Sequence, residues 1–335
     1  MLGFASIQQL KGGFNMRGIV RLLLIALLVS SSVATAQNYP TKPIRVIVGF
    51  PAGTLVDVIG RALGAHMQKD LGQPILVEAR PGAGGYIGAS AVMNSEADGH
   101  TIHFGVLGGL LPPLVKSNPI DARKDFAAVG DALTSPFVLY TSGKMPVKTM
   151  AELIAHAKTL PPNALNFGSS TGQVEIIMTM VKNLTGVGFT LINYPGAPAV
   201  IPGLISGDIN MHINVLGPFI PHLEAGTIRA LFVSGGKRLA SFPGVPTATE
   251  AGVPAVEAAG FDSGYWAPRA TPKPFVDKLS RSIAAAVKQP DILELFRKQG
   301  YEPLGTPPEE QMRRYESSLK FWTETARLTN FQPQQ

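Results

Sequence analysis

The chain has 335 residues, of which 45% are hydrophobic and 16% are charged, and it contains no cysteine. That length allows about two domains, each large enough to bury its own hydrophobic core. The high apolar fraction and the low charged fraction exclude an intrinsically disordered chain. The absence of cysteine excludes a disulfide scaffold and a zinc site built on thiolates.

The first 36 residues have the pattern of a secretory signal peptide. A basic stretch at Met16–Arg21 is followed by the apolar run Leu22–Val29 and by the small-residue cleavage pattern Ala34–Ala36. We therefore expect residues 1–36 to be cleaved and the protein to be exported, to the periplasm in a Gram-negative host. The apolar run is shorter than the about 20 residues that a membrane span needs, and no later segment is comparable. The sequence thus predicts no transmembrane helix.

The formal net charge of +6 does not indicate a nucleic-acid-binding protein. Lys11, Arg17 and Arg21 lie in the predicted signal peptide, which has no acidic residue, so removing these three cations from +6 leaves +3. The other Lys and Arg residues are spread singly rather than forming a stripe interleaved with aromatic residues, as binding to a phosphate backbone would require. We expect no nucleic-acid partner.

The mature sequence repeats the order strand, glycine turn, helix. The β-branched run Ile44–Phe50 predicts a buried parallel strand, which Pro51–Gly53 interrupts. Thr54 and Asp57 have the spacing of a capping box at the start of a helix that Gly72 closes. This order predicts an α/β chain with parallel strands. The further predicted elements are a strand at Ile75–Val77, a helix at Ile87–Met93, a strand at Leu165–Phe167, a helix at Val174–Leu184, a strand at Phe189–Asn193, a helix opened by Pro198, and strands at Ile209–Ile213 and Ile228–Val233.

The last 60 or so residues have helical rather than alternating periodicity. We expect this helical block to pack back onto the first domain. Its three apolar faces are Phe275, Leu279, Ile283 and Val287; Ile292, Leu295 and Phe296; and Met312, Tyr315, Leu319 and Trp322.

Three glycine-rich turns precede predicted helices, at Gly53-Thr54, Ser169-Ser170 and Gly196-Ala197. The first amides of a helix have no intrahelical partner, and the helix dipole places about half a positive charge there. Each turn alone is typical of a capped helix in any α/β protein. Three in one chain favour the binding of a carboxylate or a phosphate.

The segment Gly168–Gly172 also matches G-x-S-x-G, the nucleophile elbow of α/β hydrolases. Ser170 would be the nucleophile, and Asp208 followed by His212 or His222 has the chain order of the other triad members. Gln173 gives Ser170 the spacing of a helix N-cap instead. A serine hydrolase therefore stays open as an alternative.

The sequence offers no metal or cofactor motif. There is no H-E-x-x-H, no Asp-rich calcium loop and no Walker lysine, and Arg80–Gly85 lacks the spacing of G-x-G-x-x-G. We expect no metal and no tightly bound cofactor.

Taken together, the motifs resemble those of the substrate-binding proteins of tripartite tricarboxylate transporters, often called the Bug family. The resemblance covers nearly all of the mature chain, and no single motif is specific by itself. It rests on Tyr39–Arg45, Phe50–Gly53 with Asp57 and Arg61, Val77–Gly85, Asp98–Thr101, Gly168–Gly172, Tyr194–Ala199, Pro243–Thr247 and Glu250–Gly252.

The resemblance implies a two-domain α/β periplasmic binding protein of the type II-like fold, with mixed sheets and a ligand cleft between the domains. We assign residues 37–138 and 264–335 to domain 1 and residues 139–263 to domain 2. The implied protein is not an enzyme; it is a monomer that binds a small carboxylate and delivers it to membrane permease subunits. A binding protein that passes its signal to a sensor receptor is a further alternative.

The resemblance places ligand-binding residues on turns of both domains, where backbone amides, hydroxyls and ordered water would hold the carboxylate. In domain 1 they are Phe50, Pro51, Ala52, Gly53, Thr54, Asp57, Gly84, Gly85 and Tyr86, and in domain 2 Ser169, Ser170, Thr171, Gly172, Tyr194, Gly196, Ala197 and Asn214.

Several residues depart from the family pattern. Either they are neutral, or they indicate a more apolar pocket for an aromatic or hydrophobic monocarboxylate. They are Thr54 in place of a second Gly, Ala79 and Tyr86 in place of Asn, Val106–Gly109 in place of polar residues, and Asn210 and Asn214 in place of acids.

Overall fold

The computed structural model describes residues 39–106, 120–194 and 196–332. The predicted signal peptide lies outside these ranges. Within them the strands are β1 (Ile44–Val48), β2 (Ile75–Ala79), β3 (Thr101–Gly105), β4 (Phe126–Pro136), β5 (Val138–Ser142), β6 (Leu165–Ser169), β7 (Phe189–Asn193), β8 (Met211–Asn214), β9 (Ile228–Val233), β10 (Gly260–Pro268) and β11 (Glu302–Pro303). The helices are α1 (Leu55–Leu71), α2 (Tyr86–Met93), α3 (Ala122–Asp125), α4 (Met150–Ala157), α5 (Gly172–Thr185), α6 (Ala197–Ser206), α7 (Ile220–Glu224), α8 (Lys273–Val287), α9 (Pro290–Gln299) and α10 (Pro308–Thr329).

The strands form two mixed sheets. In the first sheet the order is β11-β4-β10-β3-β1-β2, with β3, β1 and β2 parallel and β10 antiparallel to both of its neighbours. In the second the order is β7-β6-β8-β5-β9, with β7, β6 and β8 parallel and β5 antiparallel to its neighbours. Helices cover the sheets, so the predicted α/β class with mixed sheets is confirmed.

Both predicted capping boxes are wrong in detail. The hydroxyl of Thr54 donates to the carbonyl of Pro51 (2.7 Å) and caps no helix amide. The carboxylate of Asp57 accepts from the amide of Gly53 (3.0 Å), one residue before the expected partner. At α5 the N-cap is Thr171, whose Oγ1 accepts from the amide of Val174 (3.4 Å). Two adjacent hydroxyls precede this helix, and spacing alone did not select the one that caps it.

Within residues 39–106, 120–194 and 196–332, the chain crosses between the sheets twice. Phe137 alone separates β4 in the first sheet from β5 in the second, and residues 234–259 lead from β9 back to β10. The buried hydroxyl of Ser234 accepts from the amide of Phe137 (2.7 Å) and donates to the carbonyl of Ala259 (2.6 Å). One side chain therefore joins the two crossings.

The C-terminal helices pack onto the first sheet, as the sequence predicts. Helix α8 lies against α1 and β4, and α10 lies against β4. Helix α10 also contacts α5 of the second sheet, so it spans both halves of the molecule. Their buried apolar residues, among them Leu279, Ile283 and Trp322, complete the core on that side.

Candidate functional site

The predicted ligand-binding residues all lie at or just after the carboxyl end of a parallel strand. The carboxyl ends of parallel strands form one edge of a sheet, where α/β proteins bind their ligands. The structure thus brings the predicted residues of each sheet to one edge. They are Phe50–Asp57 after β1, Gly84–Tyr86 after β2, Ser169–Gly172 at the end of β6, Tyr194, Gly196 and Ala197 after β7, and Asn214 at the end of β8.

The two turns of the first sheet are in direct backbone contact. A Cβ atom placed on Gly49 would lie 2.7 Å from the carbonyl oxygen of Gly85, and one placed on Gly88 would lie 2.7 Å from the Cα of Gly49. Only glycine allows backbones to approach this closely. The ring of Phe50 lies beside Gly85, 3.7 Å from the position of its absent Cβ. The turns after β1 and β2 therefore form one surface.

Asp57 holds the turn after β1 in place. Its carboxylate is buried and accepts hydrogen bonds from the amide of Gly53 (3.0 Å) and from the guanidinium of Arg61 (3.0 Å to each oxygen). The Arg61 guanidinium, together with the Gly53 amide, outweighs the effect of burial and lowers the pKa of Asp57 below its ordinary value. Both carboxylate oxygens are thus occupied within the chain.

Three helices that begin at predicted ligand-binding turns have no side-chain cap at their N-terminus: α1 and α2, which follow strands of the first sheet, and α6, which follows a strand of the second. The N-cap residues Thr54 of α1, Gly85 of α2 and Gly196 of α6 make no side-chain hydrogen bond to a first-turn amide. At α2 and α6 the amides of Tyr86 and Ala199 already donate to the carbonyls of Ala83 and Gly196, and Pro198 has no amide hydrogen. The feature that all three helix ends share is the positive end of the helix dipole, which attracts anions, carboxylates among them.

In the second sheet a chain of hydrogen bonds runs from the core to Ser170. The carbonyl oxygen of Gly168 lies 2.7 Å from Nδ1 of His212, and Nε2 of His212 lies 3.3 Å from Nδ2 of Asn214. That amide nitrogen donates to Oγ of Ser170 (3.3 Å). His212 is fully buried, whereas Asn214 and Ser170 are half-buried, so the chain ends at the accessible edge.

This arrangement does not form a hydrolase triad. Asn214 lies between Ser170 and His212, and Nδ1 of His212 faces a backbone carbonyl rather than a carboxylate. Asp208 accepts from the hydroxyl of Ser206 (2.7 Å) instead. Within the described ranges Ser170 therefore has no general base in contact, which nucleophilic catalysis by a serine uses.

The edges of the two sheets face each other. A Cβ placed on Gly217, just after β8, would lie 3.1 Å from Cδ2 of Leu55 at the start of α1. Val106 after β3 and Gln173 in the first turn of α5 line one small cavity of about 30 Å³. The start of α1 therefore contacts the segment after β8, and residues of both sheets line the same small cavity.

Two of the departures from the family pattern are not located at the described site. Asn210 precedes β8 at its amino end, where its Oδ1 accepts from the amide of Asn166 (2.7 Å), so it lies away from the edge that carries the site. Of Val106–Gly109, only Val106 belongs to the described residues, and the other three lie outside them.

Sequence reasoning missed the positioning residues of the site. It identifies His212 only as a triad member, and it does not identify Gly49 or Gly88. Alternation along β8 points His212 and Asn214 to the same face, which links both to the Ser170 turn. The close approach of Gly49 and Gly88 is a tertiary contact without a local signal.

Among the described residues, no three His, Asp or Glu side chains lie close enough together to hold a metal ion. No helix in the described ranges is both long and apolar enough to cross a membrane. A cavity of about 570 Å³ lies elsewhere, at the crossings, between Ser234–Lys237 and α10. It contains none of the predicted ligand-binding residues, and its volume alone does not make it the site.

A family model described as "Tripartite tricarboxylate transporter family receptor" (TctC) matches residues 59–325. The chain belongs to this family. Protein BugT of Bordetella pertussis is 30% identical over 311 residues, which cover 92% of this chain and 95% of BugT. The TctC and Bug resemblance inferred from the motifs is therefore confirmed.

Solved TctC-like structures have the same fold. R. palustris Rpa4515 with adipate is 30% identical, has a TM-score of 0.79, and covers 88% of this chain and 100% of its own. Rhodopseudomonas palustris MatC with bound malate is 28% identical, has a TM-score of 0.74, and covers 86% of this chain and 99% of its own. The chain is thus a receptor of the tripartite tricarboxylate transporter type with a two-domain binding-protein fold.

Proposed function

We propose that this TctC-family receptor captures a small carboxylate by domain closure in the periplasm and delivers it to a tripartite tricarboxylate-type membrane transporter. The observation that carries the proposal is that three helix N-termini without side-chain caps and the Ser170 hydroxyl each lie at the carboxyl end of parallel strands, with Leu55 of α1 in contact with Gly217 after β8. Asp57 is the one charged side chain among the proposed ligand-binding residues, and it is already paired with Arg61. The site therefore offers neutral donors to an anion.

Two similar solved structures support a carboxylate as the anion, because Rpa4515 was solved with adipate and MatC with malate. Hydrogen bonds to a charged group each contribute about 1.5–3 kcal/mol. Three to five such bonds together supply the binding free energy of about 8 kcal/mol that corresponds to a micromolar Kd. No cation in the site is needed to reach that affinity.

The residues divide by role in this proposal. The amides of the Phe50–Thr54 and Gly84–Tyr86 turns bind from domain 1, and Ser169–Gly172, Tyr194, Gly196, Ala197 and Asn214 bind from domain 2. Asp57 acts on the ligand through the turn it anchors, since both of its oxygens are occupied.

Domain closure needs a hinge, and in this proposal the hinge lies at the two crossings. We place domain 1 at residues 37–138 and 264–335 and domain 2 at residues 139–263, with Phe137 and Ala259 at the pivot because Ser234 joins them. We propose that residues 1–36 are cleaved on export and that the mature protein is a monomer. Catalysis is not part of the proposal: in the part of the chain that the structure describes, the hydroxyl of Ser170 is paired with the Asn214 amide.

Isothermal titration calorimetry of the mature chain tests the proposal. The panel contains adipate, malate and benzoate, with adipamide as a neutral analogue of adipate. We expect at least one acid to bind at micromolar concentration and adipamide not to bind. Failure of every acid, with a protein that unfolds cooperatively, would contradict the proposal, and so would equal binding of adipate and adipamide.

A further inference from the structure

The hydrogen bonds behind Ser170 have a direction that the geometry determines. A carbonyl oxygen can only accept, so the contact of 2.7 Å between Gly168 and His212 requires a hydrogen on Nδ1. The tautomer is assigned here from its partner, as ring hydrogens must be. In this hydrogen bond Nδ1 of His212 is therefore the donor and the carbonyl oxygen of Gly168 is the acceptor.

The imidazole of His212 is neutral. It is fully buried, with the rings of Phe167 and Phe219 at centroid distances of 6.3 and 5.4 Å. Its two ring nitrogens face the Gly168 carbonyl and the Asn214 amide, neither of which is charged. Burial lowers its pKa to about 4. With Nδ1 protonated and the ring neutral, Nε2 carries a lone pair and accepts.

The orientation of Asn214 is fixed from its other end. Its Oδ1 accepts from the amide of Val215 (2.8 Å), so its Nδ2 group faces His212 and Ser170. The two hydrogens on Nδ2 supply one bond each, to Nε2 of His212 and to Oγ of Ser170, both at 3.3 Å. A flipped amide would place an oxygen against the lone pair of Nε2.

Ser170 is thereby left with one hydrogen to donate. Its oxygen accepts from Asn214, and Thr171 rather than Ser170 caps helix α5. Among the described residues no acceptor takes the Ser170 proton. Because the side chain is only half-buried, at the end of β6, its O–H is accessible to a ligand.

We infer that the hydrogen-bonded series Gly168–His212–Asn214–Ser170, called the relay, fixes Ser170 as a hydrogen-bond donor to the ligand, so that His212 and Asn214 position the donor that a carboxylate uses. The inference rests on the proposed function in one respect, which is that the ligand reaches Ser170. His212 and Asn214 are positioning residues, since they act through Ser170.

The relay itself is tested without ligand, by 15N NMR of the histidine ring in the full mature chain. We expect the His212 signal, assigned by its loss in His212→Gln, to show the neutral tautomer with hydrogen on Nδ1 between pH 5 and 8. A ring with hydrogen on Nε2, or a charged ring in this range, would overturn the inference.

Its effect on binding is tested with Asn214→Ala, which removes the Nδ2 donor and leaves the Ser170 hydroxyl without its partner. We expect adipate or malate to bind about tenfold more weakly. Asn210→Ala is the matched control, because it makes the same change at the other end of β8. We expect less than a twofold effect there.

A second variant covers the case in which Asn214→Ala does not fold. Ser170→Ala removes the donor alone, and we expect acid binding to weaken about tenfold with the His212 tautomer unchanged. Wild-type affinity in either folded variant would overturn the inference. If no acid binds the wild type while the tautomer is as expected, the proposed function fails, and the donor role of Ser170 fails with it.

Discussion

Ser234 accepts a hydrogen bond from the amide of Phe137 at 2.7 Å, and this contact joins the two points where the chain passes between its sheets. The same hydroxyl donates to Ala259 on the returning segment. All three groups are buried, so water does not replace a lost partner. Removing the hydroxyl leaves one amide and one carbonyl unsatisfied.

Ser234→Ala is therefore expected to lower the free energy of unfolding by about 1–3 kcal/mol. Urea denaturation of the mature chain measures this change as a shift of the urea concentration at half-unfolding, with the m-value unchanged. Ser317→Ala on the exposed face of α10 is the control and should stay within about 0.5 kcal/mol of the wild type. Equal midpoints for Ser234→Ala and the wild type would show that the contact does not stabilise the crossings.

Gly49→Ala tests the close approach of the turns after β1 and β2. The new methyl group would lie 2.7 Å from the carbonyl oxygen of Gly85, and the backbone has to shift to make room. We expect a loss of about 1–3 kcal/mol of stability, as for other overpacked sites. Gly244→Ala is the control, because no atom lies within 4 Å of its Cβ position. An equal effect of the two substitutions would contradict the backbone contact.

Asp131 makes the stability depend on pH. Burial, with a further contribution from Asp262, raises the pKa of Asp131 to about 7 in the folded chain, although Arg314 and Thr306 act in the opposite direction. The folded state then holds a proton that the unfolded state releases near pH 4. The stabilisation is fully present below pH 4 and is lost as the pH rises through 7.

Unfolding by urea at several pH values measures this dependence. For the single proton of Asp131 the free energy of unfolding should fall by at most about 1.4 kcal/mol per pH unit between pH 4 and 7. Asp131→Asn should remove this contribution, whereas Asp70→Asn on the exposed face of α1 should retain it. If the free energy of unfolding of Asp131→Asn depended on pH as strongly as that of the wild type, groups other than Asp131 would be responsible for the dependence.

Asp57→Ala tests whether the anchored turn after β1 matters for binding. Without the carboxylate, Gly53 and Arg61 lose their partner and the turn is free to move. We expect the acid that binds the wild type to bind about tenfold more weakly, with the fold retained. Asp277→Ala removes a similarly spaced carboxylate from its exposed pair with Lys273 and should change nothing. Unchanged affinity in Asp57→Ala would remove Asp57 from the account.

Local patterns in the sequence were sufficient for much of the fold. The β-branched run at Ile44 predicted strand β1, and the apolar face Phe275–Val287 predicted helix α8. Both predictions succeeded because each pattern is complete within one segment. Strands β4 and β10 were not predicted. They pair antiparallel with each other across a long stretch of sequence, which no local period indicates.

The candidate site could be predicted only in outline. The order of strand, glycine turn and helix in the sequence predicts where its turns lie. It does not predict which hydrogen-bond partner each polar side chain has. Thr54 and Asp57 have capping spacing and make other bonds, because Pro51 and Gly53 are closer partners in the folded turn. The link from His212 to Ser170 depends on the pairing of β8 with β6, which is a tertiary feature.

A crystal structure of the mature chain with the tightest-binding acid of the panel tests the central claim most directly. The account predicts a carboxylate oxygen at about 2.7–3.2 Å from Oγ of Ser170 and from amides at the start of α1 or α2. A carboxylate held in the cavity between Ser234–Lys237 and α10, with the facing edges empty, would contradict it.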